Sequence, residues 1–391
     1  MTPAFGLVPP LPYPVDFILF GVFLALLAGV AILRSRAAGL FVVAALALAV
    51  FFVLEDVSRL QPWFYQYSFM LAAVGLYGLG RLGTEDALNA CRLIVACTYL
   101  WSGLQKANAG FVENVYPEIV EPLASYLPLG IDSALSWGAY AVPAIEAAIG
   151  LGLLLTRRLR TPAVVAALLM HAFILFSIGP FGSNWNTVVW PWNVAMVAFG
   201  FIMFWRTPDE PSFLEVLRPS GMFRVTVLVL FALMPALNFF ELWDSYLSAN
   251  LYSGNTKEGY VLALDDSHWT QTRITYLAME EMNVPAYPEE RVFKNVFKKK
   301  WCGSGNPSFL VVYGTPRIFS GERSEEIYRC ADVRQYNGDK QATKRGALPF
   351  RRITVRGGDG GDRDVIGRRV ELEARAFDRG ASLPRSTSRA S

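Results

Sequence analysis

Residues 161–205 read TPAVVAALLMHAFILFSIGPFGSNWNTVVWPWNVAMVAFGFIMFW, with no Asp, Glu, Lys or Arg; His171 is the one titratable side chain. Gly179, Pro180 and the polar run Ser183–Asn186 split the stretch into two apolar segments. Each is long enough, at 1.5 Å of helical rise per residue, to cross a hydrocarbon core roughly 30 Å thick. Upstream, residues 17–33, 37–54 and 63–80 are equally free of charge. The whole chain of 391 residues is 53% hydrophobic and only 18% charged, against roughly 25% charged in soluble domains. Charge concentrates after Glu241. The chain therefore reads as a membrane module followed by a polar one.

The expected fold is an all-α polytopic membrane bundle of about eight transmembrane helices with a small C-terminal α/β extramembrane domain. The spans read as 16–33, 37–54, 63–80, 91–108, 133–155, 162–180, 187–205 and 225–242. Arg34 and Arg36, Arg81 and Arg92, Arg157, Arg158 and Arg160, and Arg206, Arg218 and Arg224 fall on one set of connections; Arg59 and Lys106 are the basic residues of the other set. Basic residues stay on the cytoplasmic side, so both termini are expected outside, with a bacterial inner membrane as the home. No basic residue precedes Arg34, which does not fit a secretory signal peptide. The connection 109–132 carries Val115, Ile119, Leu123 and Leu127 at helical spacing and predicts a short amphipathic piece on the outer surface.

Residues 1–243 form the expected membrane domain, 244–350 an external α/β domain, and 351–391 a Gly-, Ser- and Arg-rich disordered tail with a short helix near 367–378. Within the external domain 260–264 and 309–313 read as strands, and 270–282 and 289–300 as helices. Cys302 and Cys330 lie where disulfides persist and are expected to pair. Cys91 and Cys97 sit in a membrane helix as small buried residues. A net charge of +3, with Lys298–Lys300 only a local cluster among aromatics, excludes a nucleic-acid groove. Two histidines, His171 and His268, on separate modules exclude a metal site of several imidazoles.

Ionisable groups inside a membrane are rare and costly, hence candidates for function. Lys106, Glu146 and His171 are the three here, with Trp101, Gln105, Asn108, Asn184, Asn186, Trp190 and Asn193 at the same outward level. Together they predict an outward-opening polar pocket, with Lys106 and His171 as candidate catalytic groups and the rest, with Glu146, as ligand-binding ones. Structural alternatives stand beside this. Lys106 at a helix end can snorkel, His171 can bridge helices, Glu146 can be a protonated acid bonded to a neighbour, and the Asn and Trp residues can be caps and belt anchors.

The stretch Tyr99-Leu100-Trp101-Ser102-Gly103-Leu104-Gln105-Lys106-Ala107-Asn108-Ala109-Gly110-Phe111 resembles a motif of vitamin K-dependent gamma-carboxylase and its bacterial relatives, the HTTM membrane family. The run His171–Phe181 looks like a second segment of that family, and Asn250–Asn255 resembles its exit into the luminal part. Gln105 stands where the family has the first of two lysines. The resemblance implies that Lys106 acts as a base on a reduced quinone, the one cofactor suggested, with membrane lipid and a quinone-like ligand as partners. Glu146-Ala147-Ala148-Ile149-Gly150-Leu151-Gly152 resembles DoxX-like membrane proteins, which implies a redox-accessory role. The third class is a lipid or small-solute carrier, or a scaffold, without chemistry.

Overall fold

The computed structural model describes residues 11–33, 36–124, 126, 132–205, 211–265, 268–303, 306–316, 323–335 and 353–355. Seven helical stretches among these are long and apolar enough to cross a membrane: Val15–Ile32 (α1), Arg36–Glu55 (α2), Thr84–Gln105 (α4), Leu135–Leu155 within Asp132–Leu155 (α6), Arg157–Ile178 (α7), Thr187–Phe204, of which Trp190–Phe204 is α8, and Met222–Phe240. Pro62–Gly78 (α3) is one helix more, of 17 residues. The protein is a polytopic membrane protein with a small C-terminal sheet region.

α4 is central. Leu93, Ile94, Val95 and Ala96 follow one another and are all buried, and a helix buried on every side belongs inside a bundle. It begins at Thr84, earlier than the charge-free run suggests, because Glu85 and Asp86 are accommodated in its first turn, where the helix dipole favours acids. By contrast α1 buries no residue, as expected of a helix whose surroundings are lipid.

α4 and α6 cross closely. A Cβ on Gly103 would lie 2.3 Å from the Ala147 nitrogen, and one on Gly150 2.5 Å from the Leu100 nitrogen. Small residues let membrane helices approach until their backbones touch, and this crossing sets Lys106 of α4 against Glu146 of α6. Three buried arginines close the opposite end of the bundle. Arg92 Nε donates to Met203 O (3.2 Å), Arg160 Nε to Leu153 O (3.1 Å), and Arg224 Nη2 to Val216 O of the short helix Phe213–Leu217 (α9). The last carbonyls of α6 and α8, left without intrahelical partners, are thus satisfied by cations.

The last membrane rod, Met222–Phe240, is helical in Met222–Val227 (α10), widens into a π-helical stretch at Leu228–Leu233 and tightens into a 3₁₀ stretch at Met234–Phe240 around Pro235. The amphipathic piece after α4 is present, as Phe111–Val115 and Tyr116–Ala124 (α5). Its buried side is Phe111, Tyr116 and Val120, packed on Ala139, one register away from the apolar row read in the sequence.

The C-terminal region is an antiparallel sheet in the order β2-β1-β3-β4-β5: Glu258–Asp265 (β1), His268–Arg273 (β2), Ser308–Tyr313 (β3), Arg323–Arg329 (β4) and Ile353–Val355 (β5). Helices Ile274–Met282 (α11), Glu290–Lys300 (α12) and Cys330–Gln335 (α13) accompany it. Val261, Leu310 and Val312 face Ile274, Phe293 and Phe297, whereas Leu262 and Val311 face the other way, the alternation a strand imposes. The helix expected over 270–282 starts only at Ile274: Trp269, Thr270 and Thr272 favour a strand, and pairing from Tyr260↔Arg273 to Asp265↔His268 decides it. Ile353–Val355, expected within the unstructured tail, pairs with β4. The helix expected near 367–378 lies outside the described residues. Cys302 and Cys330 are joined in a disulfide with Cα atoms 5.3 Å apart.

The two modules share one hydrophobic cluster. Val57, Ile178 and Val189 of the bundle pack with Tyr246, Leu251, Tyr287 and Val292. Gln61 Nε2 donates to Pro285 O (3.1 Å), and Leu11 N to Glu55 Oε1 (2.8 Å). The start of α1, the end of α2 and the C-terminal sheet domain therefore lie at one end of the bundle.

Candidate functional site

Tyr99, Ser102 and Lys106 follow at intervals of three and four on α4, so they share a face, and that face meets α6 and α7. Lys106 Nζ lies 2.8 Å from Glu146 Oε2, 2.7 Å from Ser102 Oγ and 3.3 Å from Ser102 O. An ammonium has three protons, and here each has an acceptor. Both partners are more than nine-tenths buried. The pair is neutral as a unit, which is how a bundle in hydrocarbon carries charge.

His171 stands beside it. Its Nε2 lies 2.8 Å from Tyr99 Oη and its Nδ1 2.8 Å from Asn193 Oδ1. Asn193 Nδ2 donates to Val189 O (2.9 Å), which turns the amide oxygen toward the imidazole. Nδ1 therefore carries the proton and donates to Asn193, while Nε2 accepts from the Tyr99 hydroxyl. A neutral ring satisfies both bonds.

Gln105 and Asn108 point instead to the last rod and the loop at the start of the C-terminal domain. Gln105 is fully buried; its Nε2 donates to Pro235 O (3.2 Å) and its Oε1 accepts from Asn238 Nδ2 (3.1 Å) and from Asn255 Nδ2. Asn108 Nδ2 donates to Gln105 O (2.7 Å) and Ser253 O (2.8 Å). Gly254, at φ +68°, lies so close that a Cβ would sit 2.4 Å from Phe111 N; only glycine fits both the conformation and the space. Arg323 Nη2 donates to Gly254 O (3.0 Å) and its Nη1 reaches Glu258 Oε1 (3.2 Å), tying the loop to the sheet.

The remaining expected residues are dispersed. Asn184 is an exposed turn residue at φ 48° and Asn186 a buried one at φ 47°, a left-handed conformation that Asn tolerates. Asn186 Nδ2 donates to Tyr252 Oη, and Trp190 Nε1 to Trp185 O (3.2 Å). Trp101 lies on another face of α4 and lines a cavity that Lys106, Glu146 and His171 do not line. Sequence reading gave no site role to Tyr99 or to the Asn238 and Asn255 amides. Tyr99 sits two helical turns before Lys106, a spacing that signals a shared face; the amides gave no signal beyond a polar run at a membrane exit.

These features define a polytopic membrane protein whose helical core buries a compensated ion pair and a hydrogen-bonded histidine. Residues 84–184, the stretch from α4 to just past α7 that holds the ion pair and His171, match the family model described as methylamine utilisation protein MauE. No curated protein and no solved structure matches the chain. The match corrects the resemblances to the gamma-carboxylase (HTTM) family and to DoxX-like proteins, which were drawn on these same helices. The lysine-base chemistry and the reduced quinone were implied by that resemblance, and the match gives them no support. Short aromatic and glycine motifs recur wherever membrane helices pack closely, and so separate such families poorly. Among the described residues no group of three or more His, Cys, Asp or Glu side chains is placed to hold a metal ion.

Proposed function

We propose that this protein is an outward-facing membrane binding protein that holds a small lipophilic solute and keeps its external domain in a fixed pose, without catalysing a reaction. The observation that carries this is the closed Lys106–Glu146 cluster: with every ammonium proton engaged, Lys106 is a structural cation, not a base in waiting. The adjoining Gln105 and Asn108 then lock the domain to the helix that carries the pair. The domain lies outside the cytoplasm in this reading, supported by the Cys302–Cys330 bridge, since disulfides persist in oxidising compartments, and by the arginines at the opposite end of the bundle.

A double-mutant cycle tests it. Lys106→Met leaves Glu146 buried and unpaired and is expected to cost about 3–5 kcal/mol. Adding Glu146→Gln should recover most of that loss, and Lys106→Arg should keep both fold and function. Stable variants in which Lys106→Arg and the double replacement are both inactive would reinstate a chemical role for the lysine.

A second reading follows from the family match: an accessory role in an amine-utilising system. Its test is growth of the source organism on methylamine after removal of the protein; unchanged growth sinks it.

A further inference from the structure

Among the described residues β2 pairs with β1 alone, so it forms an edge of the sheet. One bond decides which backbone groups that edge leaves open. Leu264 N donates to Pro307 O on the β3 side (3.0 Å), so Leu264 and Trp269, which stand opposite each other, are not bonded to one another. Antiparallel pairs alternate between bonded and unbonded. Thr270 and Thr272 therefore bond β1, while the N–H and C=O of Trp269 and Gln271 point out of the sheet. Thr270 and Gln271 are exposed. Proteins blunt such edges with Pro, Lys, a bulge or a short strand. β2 has no Pro or Lys, its register with β1 is unbroken, and it runs for 6 residues against 3 in β5 at the other edge. Trp269 lies on the apolar side with Leu262, Val311 and Phe309, and Thr270 and Thr272 on the opposite side.

A second copy of the chain does not fit this edge. Arg323, the first residue of β4, donates to Gly254 O beside the end of α4 (3.0 Å), and Thr315, just past β3, donates to Glu241 after the last rod (3.2 Å). The strands thus stand on the bundle by these ends, and β2 runs toward it. Two copies of β2 paired antiparallel would put their bundles at opposite ends of the joint sheet, which one bilayer cannot hold. Parallel pairing staggers the strands by one residue, which a two-fold dimer does not allow.

We propose that the β2 edge takes up an extended segment of a partner protein as an added strand, on the side of the membrane where the C-terminal domain lies. Trp269 and Gln271 supply the backbone pairing. The segment alternates apolar side chains on the Trp269 side with polar ones on the Thr270 side, since main-chain bonds give affinity in such additions and alternate side chains give specificity.

The test is residue-resolved amide hydrogen exchange on the full chain in nanodiscs. The probe is a peptide of alternating Val and Thr with a lysine at each end, and the control is the same peptide N-methylated at every residue. In the free protein the Trp269 and Gln271 amides should exchange fast and those of Thr270 and Thr272 slowly. Excess peptide should slow Trp269 and Gln271 about tenfold and leave Thr270 and Thr272 nearly unchanged. The N-methylated peptide should do nothing. Gln271→Pro removes one open N–H at an edge position where Pro is tolerated, and should abolish the response with the unfolding temperature retained; if that variant misfolds, the N-methyl control still decides. The proposal is overturned if the peptide protects neither amide or if the N-methylated peptide protects them equally. It is also overturned if the free protein already protects both: protection that is lost on dilution would assign the edge to a second copy, and protection that persists would assign it to the chain's own residues. None of these outcomes touches the Lys106–Glu146 cycle, so the two readings fail separately.

Discussion

In the bundle, Glu146 meets one lysine whose other protons go to Ser102; in the C-terminal domain, Glu258 sits between two arginines. Arg323 Nη1 reaches its Oε1 at 3.2 Å, Arg273 Nη2 its Oε2 at 3.1 Å, and the Tyr260 hydroxyl donates to Oε2 at 2.7 Å. The first cluster balances charge one to one and uses up its donors, because hydrocarbon offers nothing else. The second carries a surplus of positive charge at the edge of water, which can hydrate it. Burial alone would push the Glu258 carboxyl up; Arg323 and then Arg273, with the hydroxyl, outweigh it and hold the pKa below the usual carboxylate range. The contrast teaches that similar ion pairs answer to different constraints: close backbone approach in the bundle, proton concentration in the domain.

Gly103→Ala attacks the bundle side directly. The added methyl meets backbone atoms of α6 that cannot yield, so α4 and α6 must separate and the Lys106–Glu146 contact opens. A loss of about 3 kcal/mol or more is expected, read as a lowered midpoint in detergent denaturation; a neutral result would show that the crossing is looser than described.

On the domain side, replacing Cys302 and Cys330 by Ser removes a bridge spanning 28 residues and should cost about 3 kcal/mol. Hydrogen exchange should rise in β3, β4 and α12 while α4 and α6 keep their protection. Equal loosening of both modules would mean that they unfold as one unit.

Glu258→Gln should cost about 1.5–3 kcal/mol at neutral pH, the range for hydrogen bonds to charged groups. The sign of the pH dependence follows from the lowered pKa. Glu258 contributes fully above the unfolded value of about 4.3 and loses its contribution as pH falls through the lower folded value. Acid should therefore destabilise the parent domain more than the Gln variant; parallel acid profiles would remove Glu258 from the account.

Tyr99→Phe is the smallest change. It leaves His171 Nε2 without its donor and should cost about 1 kcal/mol, with Asn193 still holding the ring. A much larger loss of solute binding than of stability would move His171 from the scaffold into the site.

Much of the bundle was legible because lipid imposes a coarse rule, an apolar run long enough to cross. Lys106, Glu146 and His171 stood out by the same rule, since charge in such runs is conspicuous. What each one touches was not legible. The Glu146 contact depends on Gly103 and Gly150 letting two backbones meet, and the His171 contact on Tyr99, which reads as another aromatic in an aromatic-rich chain. In the domain, His268–Arg273 joins smoothly to a helical pattern, and only the neighbouring β1 makes it a strand. Ile353–Val355 is too short to announce itself, and β4 supplies the edge it needs.

The amide cluster at Gln105 also sets an order of events in biogenesis. Gln105 enters the bilayer with α4, yet two of its partners, Asn238 and Asn255, are made well over a hundred residues later. Until the chain has been made as far as Asn255, the Gln105 carboxamide at the end of α4 lacks two of its three side-chain-bonded partners. Arrival of the 250–255 loop is the step that completes the set of hydrogen bonds around Gln105.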